Sequence, residues 1–179
     1  MKKAFPFVAG IVLLGVPFIG TPQYYLHIMI TILIWSLVCT GWSLMGRFGL
    51  VSLGHGAFMS VGGYGSALMW NHLGLTPWVG IPLSMLIAAV LAFIVGYPSF
   101  RFRIVGHYFA LVTLALSEIV RLVIVATRDH TGGSLGFTPN RDGDGTSLYA
   151  FQFADRETFY FIALAAWALG LVIWRAVDK

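Results

Sequence analysis

The sequence predicts an all-α protein, a polytopic bundle of about six transmembrane helices. Hydrophobic residues make up 58% of the chain and charged residues only 10%, whereas about a quarter of the residues in a soluble domain are charged. The mean hydropathy is +0.84. Residues 4–46 and 48–100 contain no Asp, Glu, Lys or Arg, and each run is long enough for two spans of about 20 residues. The chain is therefore expected to fold in a lipid bilayer, as a single transmembrane domain over residues 1–179.

Polar or proline-containing stretches divide the chain into six apolar segments. The breaks are residues 21–25, a very short turn at Arg47, and residues 71–77, 98–103 and 128–155. Two lysines precede the first segment, as in a signal peptide, but no small-residue cleavage site follows, which favours a retained span. The predicted spans are residues 1–20, 26–45, 49–70, 78–97, 106–127 and 159–174.

The distribution of Lys and Arg predicts that both termini are cytoplasmic. Short cytoplasmic loops carry an excess of these residues. With six spans, the side that holds both termini carries seven of them and the other side three. The net charge of +4 is then a consequence of topology and gives no support to nucleic-acid binding. The two sets are Lys2, Lys3, Arg47, Arg101, Arg103, Arg175 and Lys179 on one side, and Arg128, Arg141 and Arg156 on the other.

The third predicted span is unusually rich in glycine. Such density costs helix stability, and membranes tolerate it where helices approach closely or where a broken helix lines an enclosed cavity. Both alternatives stay open: a tightly packed helix, or a broken, re-entrant segment beside a transport path. His55 lies in this stretch and is either a packing residue or a direct contact to a solute. The small residues at helix-packing spacing are Ser52, Gly56, Ser60, Gly63 and Ala67.

Glu118 and Arg121 are the only charged residues inside the predicted spans, apart from the two N-terminal lysines. At positions i and i+3 they share one helix face and can neutralise each other. Thr113 and Ser117 add hydroxyl groups nearby, so this face is expected to point towards the bundle or water. Ionisable residues within a membrane are costly and are functional candidates. The pair is either a structural ion pair or part of a solute path.

The sequence predicts no catalytic, metal or cofactor site. Residues 49–55 have the glycine spacing of a phosphate loop, but His55 stands where the lysine belongs. Residues 140–145 imitate the start of a calcium loop, yet Phe151 takes the place of the bidentate glutamate. The five histidines are spread over different segments without metal-ligand spacing. We therefore expect a protein that is not an enzyme.

Three stretches of the sequence carry a resemblance to a known family. They are WSLMGRFGLVSLGHGAF at 42–58, continued by GGY at 62–64, then RFRIVGHYFALVTLALSEIVR at 101–121, and TGGSLG at 131–136. In this order they resemble the signature of the branched-chain amino acid ABC transporter permeases. Two positions depart from it, since many members have asparagine in place of Ser43 and often Gly or Tyr in place of Arg47.

The resemblance implies an inner-membrane permease subunit of an ABC importer for branched-chain amino acids or a related small polar solute. The implied partners are a second homologous permease subunit, two cytoplasmic ATPase subunits and a periplasmic solute-binding protein. Family members are longer, so the chain is expected to be an N-terminal portion of a longer permease. The alternatives are an ATP-independent channel or facilitator and a non-transporting membrane remnant. The candidates for the solute path are His55, Gly56, Phe58, Tyr64, Thr113, Ser117, Glu118 and Arg121.

Overall fold

The fold is all-helical over the part of the chain that the structure describes. A computed structural model describes residues 13–15, 17, 22–104, 106–143 and 145–177. Within these residues, extended pairing is limited to one isolated antiparallel bridge between Ser147 and Gln152. Five long helices, one short helix and one 3-10 turn follow in chain order: α1 Gln23–Arg47, α2 His55–Leu73, α3 Pro77–Arg101, α4 His107–Ala126, α5 Arg128–Thr131, the 3-10 turn Gly133–Leu135, and α6 Arg156–Val177.

Four of these helices, α1, α3, α4 and α6, are long and apolar enough to cross a membrane. They coincide with the predicted spans 26–45, 78–97, 106–127 and 159–174, because long uncharged apolar runs leave few alternatives to a spanning helix. The first predicted span, 1–20, lies almost entirely outside the described residues. The six-span count and the cytoplasmic position of the termini stay predictions.

Two helix boundaries differ by about four residues or more from the sequence-based expectation. The third span was predicted to start at Gly49, but α2 begins only at His55, and residues 50–54 are not helical. The fourth span was predicted to end before Pro98, but α3 continues to Arg101 with Pro82 and Pro98 inside it. A proline removes a single helix hydrogen bond, and the Phe102 N–H still donates to the Pro98 carbonyl at 2.9 Å, so the last turn persists.

The described helices belong to two compact units, residues 1–41 with 153–179 and residues 42–152. In the first unit, the N-terminal part of α1 packs against α6. Leu26, Leu33 and Tyr160 are buried there, surrounded by partly buried apolar side chains. Arg156 donates to the Gln23 carbonyl at 3.0 Å, which ties the start of α6 to the start of α1.

The second unit is built around close contact between α2 and α3. A β-carbon added to Gly65 would lie 3.1 Å from Ser84 Oγ, and one added to Gly80 would lie 3.6 Å from the Ser66 carbonyl oxygen. Small residues let membrane helices approach closely in this way. The connection is tight because Gly74 ends α2 in a left-handed conformation, φ 64°, and Pro77 opens α3.

Candidate functional site

Hydrogen bonds fix the non-helical stretch that leads into α2. The Trp42 indole Nε1 donates to the Ser52 carbonyl at 2.8 Å, and the Leu53 N–H donates to Thr113 Oγ1 at 3.0 Å. Ser52 is only 2% exposed, and its hydroxyl accepts the Gly54 N–H at 3.3 Å. Buried backbone groups need such partners. The bonds therefore determine where α2 begins.

Gly54 makes the closest approach between this stretch and α4. A β-carbon at Gly54 would lie 2.5 Å from the Thr113 carbonyl oxygen and 2.9 Å from the Thr113 β-carbon. Both distances are shorter than van der Waals contact, so the geometry requires glycine. The start of α2 is thereby held directly against the middle of α4.

Thr113 has a structural task in this arrangement. Its side chain is buried at 2% exposure, and its hydroxyl lies 3.0 Å from the Ala110 carbonyl and 3.1 Å from the Phe109 carbonyl. The same oxygen accepts the Leu53 N–H. Its hydrogen-bonding capacity is thus used within the protein.

A cavity of about 480 Å³ lies between α2, α4 and the 3-10 turn, and we call it the site cavity. Hydroxyl groups, a phenol, a carboxylate and a guanidinium share its wall with apolar side chains. A few convergent polar groups in an otherwise apolar wall are typical of small-molecule sites. Its lining residues are Gly56, Ser60, Tyr64, Leu114, Ser117, Glu118, Arg121, Ile124, Val125, Gly133 and Ser134.

Glu118 and Arg121 form a two-point ion pair on the α4 side of the site cavity. Arg121 Nε donates to Glu118 Oε2 at 2.9 Å, and Arg121 Nη2 donates to Glu118 Oε1. The pairing predicted from their i, i+3 spacing is confirmed. The side chains are 53% and 61% exposed, respectively, so neither charge is enclosed by this chain. Both remain accessible to a molecule in the cavity.

The 131–136 loop supplies a third part of the cavity wall, besides α2 and α4. Thr131 Oγ1 lies 2.6 Å from a carbonyl in the last turn of α4 and accepts the Gly133 N–H at 3.2 Å. Gly133 has φ 58°, and a β-carbon there would lie 2.9 Å from the Arg128 β-carbon. This tight loop turns the chain back against α4, which brings Gly133 and Ser134 to the cavity.

A second cavity of about 560 Å³ lies on the neighbouring face of α2. Gly56, Ser60 and Tyr64 line both cavities, so one strip of α2 separates them. Phe137 is on the far wall of the second cavity, and its ring stacks on His72 with centroids 6.3 Å apart.

The structure brings five of the eight path candidates together. Gly56, Tyr64, Ser117, Glu118 and Arg121 line the site cavity. The remaining three, His55, Phe58 and Thr113, are not among the residues that line either cavity. A role in a solute path stays a prediction for all eight.

The five predicted packing residues fall into two groups. Ser52 and Ala67 are buried. Ser60, Gly56 and Gly63 are less buried and line cavities, as Ala67 also does in the second cavity. A β-carbon added to Gly63 would have no neighbour within 4 Å. The close α2–α3 contact uses Gly65 and Gly80, which the sequence pattern did not single out.

His55 opens α2 with a half-buried ring. Its buried Nδ1 has no hydrogen-bond partner among the described residues. Within the same residues, no group of three or more His, Cys, Asp or Glu side chains is placed to hold a metal ion. A lone histidine of this kind does not indicate a metal site.

Some residues at the site were missed by sequence reasoning. Gly133 and Ser134 line the site cavity, and the only signal for them was the glycine-rich pattern at 131–136. Gly54 is one of many glycines in its stretch of the sequence, so it did not stand out. Its contact with Thr113 joins residues far apart in the chain. Pairings of that kind leave no local pattern in a single sequence.

Known proteins similar to this chain are transport permeases. Residues 24–177 match the family described as branched-chain amino acid transport system / permease component. The high-affinity branched-chain amino acid transport system permease proteins LivM of Salmonella typhimurium and of Escherichia coli K12 are each 39% identical to the chain over 94 residues. That match covers 52% of this chain and 22% of each relative, so the chain matches about a fifth of their length. No solved structure matches it. With its apolar helices and a match over most of its length, the chain is a multi-pass membrane protein that belongs to the permease component family of the branched-chain amino acid transport systems.

Proposed function

We propose that the chain acts as the membrane-spanning permease subunit of an ABC importer in the bacterial inner membrane. Its solute is a branched-chain amino acid or a related small polar molecule. Separate subunits hydrolyse ATP: two cytoplasmic ATPases act on this chain and a second homologous permease, and a periplasmic binding protein delivers the solute. Family membership and the similarity to the LivM permease proteins of branched-chain amino acid transport systems support this proposal.

The observation that carries the proposal is the Glu118–Arg121 pair in the site cavity. A zwitterionic amino acid carries the same two charges as this pair. Its carboxylate can replace Glu118 on the guanidinium, for which a two-point geometry is favourable. Its ammonium can then take the place of Arg121 on the carboxylate. Since both side chains are more than half exposed, this exchange requires no buried group to be uncovered.

The other cavity residues fit a small solute with a short apolar side chain. Ser117 Oγ is 3.6 Å from the position of a β-carbon at Gly56, so α2 and α4 approach closely there and the site cavity is narrow at that point. Leu114, Ile124 and Val125 supply apolar wall. Burial of an aliphatic side chain against these residues is favourable by about 25 cal/mol per Å² of apolar surface.

Uptake in the native host tests the proposal. A strain lacking this gene, complemented with the wild-type gene, is expected to regain ATP-dependent uptake of radiolabelled leucine, isoleucine or valine. If excess unlabelled urea or a short-chain amide lowers the uptake of the labelled amino acid, that compound is identified as a further candidate solute. Uptake that is unchanged by deletion of the gene, for every solute tried, would contradict the proposal. Solute counterflow by the purified chain in nucleotide-free proteoliposomes would indicate an ATP-independent facilitator instead of an ABC importer subunit.

A substitution in the cavity wall links uptake to this site. Gly56→Leu places a large side chain between α2 and Ser117, and it is expected to abolish uptake while the membrane-inserted amount stays normal. Gly62→Leu is the matched control, because a β-carbon at Gly62 has no neighbour within 4 Å and Gly62 is not among the residues lining the site cavity. Equal loss in both variants would mean that the cavity is not the path.

A further inference from the structure

The loop after the 3-10 turn ends in a compact apolar turn, which we call the aromatic turn, residues 147–152. Ser147 and Gln152 close it by exchanging two backbone hydrogen bonds of 2.7 and 2.9 Å. Its sequence, SLYAFQ, contains no charged residue. The charged residues of the surrounding polar segment lie outside it.

Two tryptophans at the ends of neighbouring helices hold the aromatic turn. The Trp78 indole Nε1 donates to the Leu148 carbonyl at 2.8 Å, and the Trp78 ring meets the Phe151 ring edge-on with centroids 5.1 Å apart. The Trp70 ring lies 6.2 Å from the Tyr149 ring. Trp78 is the second residue of α3, a helix long and apolar enough to span a membrane. The turn is therefore fixed at the level where that span begins.

The side chains at the tip of the turn point outward. Leu148 is 67% exposed and Tyr149 is 61% exposed, and Trp78 beside them is 59% exposed. Val79, the next residue of α3, is 53% exposed, so the apolar surface of the turn continues onto the apolar surface of the helix. A contiguous exposed apolar patch on a loop indicates a surface that something covers.

We propose that the aromatic turn inserts into the phospholipid headgroup layer at the membrane end of α3. Trp and Tyr concentrate at this depth because an apolar ring and a polar tip suit the boundary between acyl chains and water. The Trp78 indole N–H is satisfied by the Leu148 carbonyl, so turn and helix enter the layer as one rigid element. The exposed tip residues Leu148 and Tyr149 carry no charge, which favours this lipid layer over a charged partner surface. Asp142 contacts the closing pair of the turn, where its carboxylate accepts the Ser147 hydroxyl at 3.2 Å. The inference does not depend on the transported solute.

Collision measurements on spin-labelled cysteine variants test the insertion. In a Cys39→Ala background, Leu148→Cys carries the label at the tip of the turn. The hydrogen bond from Trp78 uses the backbone carbonyl of Leu148, so the substitution leaves that bond in place. Arg141→Cys is the matched control in the same polar segment, and Ile87→Cys is the reference in the middle of α3, where Ile87 is exposed on an apolar helix. The full chain is reconstituted in vesicles of phosphatidylethanolamine and phosphatidylglycerol. Oxygen, which partitions into lipid, and a water-soluble nickel chelate are the two collision partners.

The label at position 148 is expected to show an oxygen-to-nickel collision ratio several-fold higher than the label at 141 and lower than the label at 87, because oxygen concentrates towards the bilayer centre. Tyr149→Cys is the second variant and is expected to behave in the same way if Leu148→Cys does not fold. A nickel collision rate at 148 equal to that at 141 would overturn the proposal, because the turn would then lie in water. Low rates with both partners would also overturn it, because protein would cover the turn.

Discussion

Gly54 lies so close to Thr113 that a β-carbon on the glycine would be 2.5 Å from the threonine carbonyl oxygen. This contact holds the start of α2 against α4, and these two helices supply most of the site cavity. The close approach of the Gly54 backbone to Thr113 therefore sets the distance between α2 and α4, the two helical walls of the proposed path.

Gly54→Ala is expected to destabilise the protein by about 1–3 kcal/mol, because the added methyl group forces α2 and α4 apart. The measurement is the midpoint of thermal unfolding of purified protein in detergent. Gly63→Ala is the control: it adds the same methyl group to α2 where no atom lies within 4 Å. It should keep the midpoint or raise it, since alanine favours a helix over glycine by about 1 kcal/mol. Equal midpoints for the two variants would contradict the close contact.

Thr113→Val tests the second link between α4 and the stretch before α2. Valine has the shape of threonine but cannot accept the Leu53 N–H, which is 3.0 Å from the hydroxyl. The Leu53 N–H is partly buried, and a fully buried donor without a partner costs about 1–3 kcal/mol, so the same unfolding measurement should show a loss of at most this size. Thr113→Ser keeps the hydroxyl and is expected to lose less. If valine were as stable as the wild type, the hydrogen bond would not hold this stretch.

The sequence predicted the spanning helices better than the contacts among them. Spans are set by local hydropathy, so α1, α3, α4 and α6 could be located from uncharged runs. The start of α2 at His55 depends instead on hydrogen bonds from Trp42 and to Thr113, which come from other parts of the chain. The pairing of Glu118 and Arg121 was predictable because both residues lie on one helix.

The glycine-dense stretch shows why pattern alone could not separate packing from cavity. Gly56, Gly63 and Gly65 all lie on α2, yet only Gly65 meets α3 closely, with Ser84 as its neighbour. Helical spacing places residues on a face but does not say which neighbour that face meets. The predicted packing positions Gly56 and Gly63 line cavities for this reason.

Gly132→Ala is expected to cost more stability than Gly74→Ala. Both glycines end helices in the left-handed region, with φ 71° and 64°, and either substitution carries a strain of about 1–2 kcal/mol. A β-carbon at Gly132 would also collide with the Gly136 carbonyl oxygen, whereas one at Gly74 meets no atom within 4 Å. The collision is therefore expected to give Gly132→Ala the lower unfolding midpoint. A lower midpoint for Gly74→Ala would contradict the tight 131–136 loop.

Labelling from outside the cell tests the predicted orientation. In a Cys39→Ala background, Asn140→Cys should react with an impermeant thiol reagent, and Phe102→Cys should react only after the membrane is opened. Asn140 suits this test because its hydrogen bonds to Trp70 and Asn71 use its backbone atoms, and Phe102 is 73% exposed. Ser99 is a poor site for this purpose because it is 2% exposed. The reverse labelling pattern would show that the orientation in the membrane is opposite to the predicted one.

The last prediction separates a structural role of Glu118 and Arg121 from a role in the path. Because both side chains are more than half exposed, Glu118→Gln should leave the membrane-inserted amount unchanged and still reduce uptake. The double variant Glu118→Gln with Arg121→Met removes both charges, and it should insert normally and fail to transport. The exchange Glu118→Arg with Arg121→Glu is the matched control, since it keeps an i, i+3 pair of opposite charges but reverses their order. A purely structural pair would lower insertion in the single variant, and the double variant and the exchange would restore insertion and uptake together. A pair that binds solute depends on which helix position carries which charge, so the exchanged variant should insert at the wild-type level and remain inactive.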